Sequence, residues 1–474
     1  MASPGATVSR RAGGALVPRR IVPHLFLVFD SEKPLGPSVR FSLEGVDTVE
    51  LGRAGQFVAG RDGTGGRRLV VGVPDSWVST SHAVLRYSPP SWILEDTKSK
   101  NGTLINGRME KRAELGDGDL IELGHSFFLF REALATSTDE PALLKSGEIR
   151  SAAPGLMTLL PSLATELRKL EAIADSTVSV VLQGESGTGK EVAATALHRL
   201  SGRPGPFLPV NCGGLPETLF ESELFGSRKG AFSGADKDRP GLVRSAERGT
   251  LFLDEISELP ASAQAALLRV LQDGEILPIG ATQPIRVDVR FIAATNRDLD
   301  ALVARGLFRT DLLARISGFV VWLPPVRERR EDLGILIAAI LKRQLGDRAS
   351  EISFSCDAAR ALLLYQWPLN IRELEKWLAA SAVLAGGHRI ELEHLPVRPS
   401  AGPEVVGAAA AQTGTDALSL AKQQKCDLLK GKLLASLEEH GWNISAVAKA
   451  LGKHRSQVQR WMKRFGIYRG GNRG

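Results

Sequence analysis

The stretch Gly184-Glu185-Ser186-Gly187-Thr188-Gly189-Lys190 constrains this chain more than any other. The β-branched run Val178-Ser179-Val180-Val181-Leu182 precedes it, and the helix-forming Glu191-Val192-Ala193-Ala194-Thr195-Ala196-Leu197 follows. A strand, a Gly-rich turn and a helix start, in that order, are the context a phosphate-binding loop requires. Gly184, Gly187 and Gly189 let the backbone of the loop, with Glu185, Ser186 and Thr188 between them, turn its N–H groups inward around an anion. The positive end of the following helix points at the same place, and Lys190 adds a point charge for β- and γ-phosphates. A merely structural Gly-rich turn would not need this order, this spacing and both flanks together.

Glu191 stands where Ser or Thr usually helps hold magnesium, so the metal must lean on other ligands. Thr250-Leu251-Phe252-Leu253-Asp254-Glu255 reads as a buried strand ending in two carboxylates. Asp254 is the expected magnesium ligand and Glu255 the group that polarises the attacking water. The bland alternative is an acidic loop start.

A chain of 474 residues predicts several domains. Apolar residues at 43% and charged residues at 24% are those of a soluble globular protein, expected in the cytoplasm. The net charge of +7 permits an anionic partner without establishing one. Cys212, Cys356 and Cys426 form no C-x-x-C, which argues against a zinc site or a disulfide frame. No apolar run approaches the roughly 18 residues of a membrane span.

Composition divides the rest. Residues 1–22, rich in Gly, Ala, Pro and Arg, read as a disordered tail. Residues 23–135 read as a β-sandwich of short strands, with candidates at 25–29, 68–71, 83–87, 92–95 and 126–131. Residues 136–153 read as a linker. From 154 to 395 strands and helices alternate, which predicts a parallel sheet covered on both faces. Its strand candidates are 178–182, 207–210, 250–253, 290–294 and 319–323, with a small helical lid at 324–395. A second linker at 396–420 leads into helical residues 421–474. The fold class is therefore a β-sandwich, an α/β domain with a lid, and a helical tail.

Within the sandwich lie Gly52-Arg53, Ser79-Thr80-Ser81-His82 and Lys98-Ser99-Lys100-Asn101-Gly102-Thr103. These residues resemble a forkhead-associated (FHA) domain, a phosphothreonine reader. The resemblance implies that Arg53 and Ser79 contact phosphate, with Thr80 beside them. It also implies that Asn101 holds the peptide backbone while Gly52 and His82 brace the loops. Arg and hydroxyl donors suit that chemistry. Thr80 and Lys100 differ from common members, which bears on peptide choice.

In the central domain, Gly230-Ala231-Phe232-Ser233-Gly234-Ala235 brackets an aromatic and a hydroxyl residue between glycines. Composition alone favours a tight turn with Phe232 in the core. The segment nevertheless resembles the GAFTGA signature of bacterial enhancer-binding proteins, the AAA+ activators of sigma-54 RNA polymerase, with Ser233 for Thr. That resemblance implies contact with sigma-54 through these six residues, and a second loop near Gly280-Ala281-Thr282-Gln283-Pro284 that moves them. By the same resemblance Asn211 restrains Glu255, Asn296 is the first sensor, and Arg372 is the second sensor on the nucleotide. Arg309 and Arg315 would enter the neighbouring subunit's site in a ring, a hexamer in the family. ATP and magnesium are the implied cofactors.

The tail reads as a helix-turn-helix with a basic face. It resembles the Fis-type module of these activators. Arg455, Ser456, Gln457 and Gln459 are placed to reach base edges, and Arg460, Lys463 and Arg464 to hold phosphates. The expected partners are upstream DNA, sigma-54 RNA polymerase, a phosphothreonine-containing protein and further copies of the chain. A non-catalytic repressor or phosphoprotein scaffold with a relic ATPase is the competing class. Intact Lys190, Asp254, Glu255, Arg309 and Arg315 speak against it.

Overall fold

Turn residues cut the first part of the chain into short strands. In the computed structural model, which describes residues 19–62, 66–149, 151, 156–231 and 237–396, they build a sandwich. The strands are β1 (Arg19–Asp30), β2 (Val39–Ser42), β3 (Thr48–Arg53), β4 (Val58–Arg61), β5 (Arg68–Val73), β6 (Ala83–Ser88) and β7 (Ser91–Asp96). β8 (Thr103–Ile105), β9 (Arg108–Glu110), β10 (Arg112–Leu115), β11 (Leu120–Leu123), β12 (Ser126–Ser137) and β13 (Leu143–Lys145) complete it. One sheet runs β13-β2-β1-β12-β11-β8-β9, the other β10-β7-β6-β3-β5-β4. Leu25, Phe41, Leu51, Leu85, Leu94, Phe128 and Phe130 fill the space between them.

The sandwich extends beyond the expected 23–135 at both ends. The segment 1–22 is not tail to its end, because β1 starts at Arg19 and pairs Ile21 with Ala135 and Val22 with Leu134. Nor is 136–153 simply a linker, because β12 runs to Ser137 and β13 pairs with β2. Both stretches are strands by virtue of a partner. The long β12 offers free backbone groups to Arg19 and Arg20, whose own side chains carry no strand signal.

The central domain follows with α1 (Pro161–Ala172), β14 (Val180–Gln183), α2 (Lys190–Leu200), β15 (Phe207–Asn211), α3 (Glu217–Phe225), α4 (Leu242–Ser245) and β16 (Thr250–Asp254). Then come α5 (Ala261–Asp273), the small pair β17 (Glu275–Ile276) and β18 (Ile285–Arg286), β19 (Arg290–Thr295), α6 (Leu299–Ala304), α7 (Thr310–Ile316) and β20 (Phe319–Trp322). The sheet order is β15-β16-β19-β14-β20, all parallel. Each of the five expected strands is present. The chain leaves β14 for the far edge, returns through β16 and β19, then crosses to β20. Such a reversal opens a crevice at the carboxyl ends of the central strands. The lid comprises α8 (Leu333–Leu345), α9 (Cys356–Leu364) and α10 (Asn370–Leu384).

The sandwich does not stand apart from the lid. Phe26, Val28, Phe29, Phe127 and Leu129 point away from the sandwich interior and join one apolar cluster with Leu333, Ile337, Leu341, Phe354 and Leu362. The Phe29 and Phe354 rings meet edge to face at 5.4 Å. Gly334 makes the approach possible, since a Cβ there would lie 1.9 Å from the Val28 carbonyl oxygen. The Phe354 N–H donates to the Ser31 carbonyl at 2.7 Å. Around this apolar contact Arg360 grips Glu122 through two bonds of 2.8 Å, and Arg389 reaches Glu32 at 3.1 Å. Among the described residues no helix is long and apolar enough to cross a membrane.

Candidate nucleotide and phosphopeptide sites

The loop between β14 and α2 lies at the crevice. Its first N–H, from Gly184, donates to the Thr295 carbonyl at 3.1 Å, which ties the loop to β19. Gly189, at φ 97°, leads into α2, whose first residue is Lys190. Lys190 Nζ donates to the carbonyls of Gly184 and Glu185 at 2.9 and 3.1 Å. Burial pushes its ammonium below the ordinary lysine range, against the pull of Glu255 and Asp254. Gly187, at φ 79°, must be glycine: a Cβ would lie 2.4 Å from the Leu369 carbonyl oxygen of the lid.

The two carboxylates sit at the end of β16. Glu255 takes the left-handed conformation, φ 54°, which turns its side chain out of the strand direction. Its Oε2 accepts the Asn296 N–H at 3.4 Å. Asn296, Asp254, Glu255 and Lys190 are thus gathered at the ends of β14, β16 and β19. Asn211, by contrast, spends its side-chain oxygen on the Gly213 N–H at 2.9 Å. It has no hydrogen bond to Glu255 among the described residues, so the restraint expected of it is not made here.

From above, Arg372 donates to Ser186 Oγ at 2.9 Å. Three residues without an assigned role in the sequence also hold the loop. Arg327 grips both Glu185 oxygens at 2.8 and 2.6 Å, and that bond holds the Glu185 carboxyl below its usual range. Arg329 donates to the Thr188 carbonyl at 2.7 Å. Asn370, fully buried, donates to Glu185 and Ser186 and accepts from the Val326 N–H. The closeness of Arg327, Arg329 and Arg330 in sequence was the available signal. Glu191 is exposed on α2 and Thr188 Oγ1 turns back to the Glu185 carbonyl at 2.9 Å.

Arg309 stands at the N-cap of α7 and Arg315 in its last turn, and the hydrogen bonds that their side chains make go elsewhere than to this loop. Asp311 clasps the Arg309 guanidinium at 3.0 and 2.7 Å, and Arg315 Nε donates to the Leu271 carbonyl at 2.9 Å. Gly230 and Ala231 open the loop singled out for sigma-54, while Phe232, Ser233, Gly234 and Ala235 lie outside the described residues. The base of that loop is stitched to the β17–β18 excursion: Arg228 N–H donates to the Ile279 carbonyl and Ile279 N–H to Gly226, both at 2.9 Å.

At one end of the sandwich three loops converge on Ser79. Its carbonyl accepts the Arg53 N–H at 2.9 Å, and its Oγ accepts the Lys100 N–H at 3.1 Å. The Ser79 hydroxyl proton therefore remains available to an incoming acceptor. Ser79 N–H donates to His82 Nδ1 at 3.0 Å, which leaves Nε2 protonated to donate to the Gly102 carbonyl at 3.0 Å. Gly52 leaves no room for a Cβ, which would sit 2.0 Å from the Thr80 carbonyl oxygen. Asn101 Nδ2 donates to the Trp77 carbonyl at 2.7 Å. Arg53 is exposed and in no ion pair among the described residues. The DNA-facing candidates Arg455, Ser456, Gln457, Gln459, Arg460, Lys463 and Arg464 lie outside the described residues.

Comparison with known proteins finds a sigma-54 interaction domain at 156–321, an AAA+ ATPase lid domain at 327–410, an FHA domain at 57–124 and a homeodomain-like domain at 428–468. The acetoin catabolism regulatory protein of Cupriavidus necator is 43% identical over 65% of this chain and 46% of its own length. Regulatory protein AtoC of Escherichia coli is 41% identical over 66% of this chain and 68% of its own length. Response regulator protein PilR of Pseudomonas aeruginosa is 37% identical over 65% and 68%. The chain thus spans about half of the first relative and two thirds of the other two.

Proposed function

Because the chain belongs to the sigma-54-dependent regulators built on an AAA+ ATPase domain, we propose that it hydrolyses ATP in a ring of copies to activate sigma-54 RNA polymerase. The observation that carries this reading is the meeting of Lys190, Asp254, Glu255 and Asn296 at adjoining strand ends beneath Arg372. The loop amides and Lys190 hold the phosphates. Glu255 takes a proton from the attacking water as its oxygen bonds to the γ-phosphorus and ADP departs. Asp254 and the phosphates would hold magnesium, which supplies charge neutralisation when bound. Arg309 and Arg315, whose side chains bond to Asp311 and to the Leu271 carbonyl, would serve a neighbour's site, where a guanidinium stabilises the charge of the transferred group.

Phe232 and Ser233 deliver the cycle to sigma-54. The tail binds upstream DNA. The sandwich reads phosphothreonine on a partner through Arg53, Ser79 and Asn101, and this is the regulatory input. Glu255→Gln tests the core of the proposal. It should bind ATP normally and turn over at least about 100-fold more slowly, whereas Ser233→Ala should keep hydrolysis and lose sigma-54-dependent transcription. Unchanged turnover in the first variant, or full activation in the second, refutes the assignment.

A further inference from the structure

The six residues from Arg327 to Asp332 face two ways. Arg327 and Arg329 hold the phosphate loop, at Glu185 and at the Thr188 carbonyl. Arg330 and Glu331 hold the sandwich: Arg330 Nη1 donates to the Gly118 carbonyl at 2.9 Å, and Glu331 pairs with Arg131 of β12. Asp332 closes the strap by accepting from Thr158 Oγ1 and the Leu159 N–H, both at 2.7 Å. Arg329, Glu331 and Asp332 are 7%, 0% and 1% exposed, so the side chains have no free volume in which to re-aim. No glycine interrupts the segment. A close-packed segment of this length transmits a displacement rather than absorbing it.

We infer that the strap Arg327–Asp332 positions the phosphate loop against the β-sandwich, which makes the sandwich a working part of the nucleotide site. Arg131 and Glu331 are then positioning residues for ATP although neither touches the loop. A phosphopeptide seated on the sandwich acts through the same strap on nucleotide affinity, and by linkage ATP acts back on the peptide. The inference rests on the nucleotide-binding reading above.

The test measures ATP binding and steady-state hydrolysis on the full chain. Arg131→Gln removes the ion pair at the sandwich end of the strap and leaves the Arg330 bond to the Gly118 carbonyl. Arg360→Gln cuts the Glu122 pair, which spans the same interface off the strap. The expected result is an ATP KM raised about fivefold in Arg131→Gln, with kcat within about twofold. Arg131→Lys restores KM, and Arg360→Gln leaves both constants at wild-type values. If Arg131→Gln does not fold, the isosteric Glu331→Gln is held to the same criteria. An unshifted KM, or equal shifts in the two interface variants, overturns the strap. A wild-type chain that binds no ATP overturns the nucleotide reading itself.

Discussion

Glu331 gives the interface between sandwich and lid a pH dependence whose size follows from its burial. The side chain is fully buried, and burial pushes its carboxyl up to about 7 from an ordinary 4.5, in spite of the attraction of Arg131. The folded value is raised, so this group's contribution to stability is fully present below pH 4.5. It is lost as pH climbs through 7 and is constant above that. A tenfold change in proton affinity is worth about 1.4 kcal/mol, so the loss across this window is about 3 kcal/mol. Glu331→Gln keeps the shape and removes the titration. Thermal unfolding of both proteins between pH 4.5 and 8 should show the variant gaining on the wild type by about 5 °C, nearly all of it before pH 7. The subtraction removes every other titrating group common to both. A difference that stays constant with pH would refute the reasoning, because a carboxylate in water cannot produce the slope and a buried one cannot avoid it.

Two further outcomes follow from the geometry. Gly334→Ala places a Cβ 1.9 Å from the Val28 carbonyl oxygen and 2.5 Å from Ser38 Oγ. It should destabilise the chain by at least about 2 kcal/mol and expose the junction of sandwich and lid to proteolysis, whereas Ala338→Gly, elsewhere on α8, should leave the junction protected. Arg53→Ala should abolish capture of phosphothreonine peptides while leaving the thermal midpoint within about 1 °C, since the exposed guanidinium is in no ion pair among the described residues. Peptide titration by fluorescence anisotropy reads it.

Much of the fold was legible because local signals agreed. Apolar β-branched runs ending in glycine or acid marked the central sheet, and their boundaries moved by only one or two residues. The phosphate loop and both carboxylates came from order and spacing alone. What stayed hidden depended on partners distant in sequence. Arg19 and Arg20 become strand only because β12 is long enough to pair with them. The docking of the sandwich was half visible: 25–29 and 127–130 are unbroken apolar runs, which in a sheet require cover on both faces. Leu25, Leu27, Phe128 and Phe130 serve the sandwich interior, while Phe26, Val28, Phe29, Phe127 and Leu129 serve the cluster shared with the lid. Asn370 was invisible for a different reason. Its side chain's three hydrogen bonds join Glu185, Ser186 and Val326, and nothing in a lone asparagine announces a hub.

The double-sided cover of the sheet containing β1 and β12 has a practical corollary. A fragment starting at the phosphate-loop domain would present Leu333, Ile337 and Phe354 to water, because their packing neighbours Phe29 and Val28 belong to the excised part. Such a fragment would be sticky and thermolabile for reasons unrelated to signalling, and its behaviour would mimic loss of an activating or restraining input. Point substitutions around Arg53 and Ser79, rather than truncations, are the operation that this architecture allows.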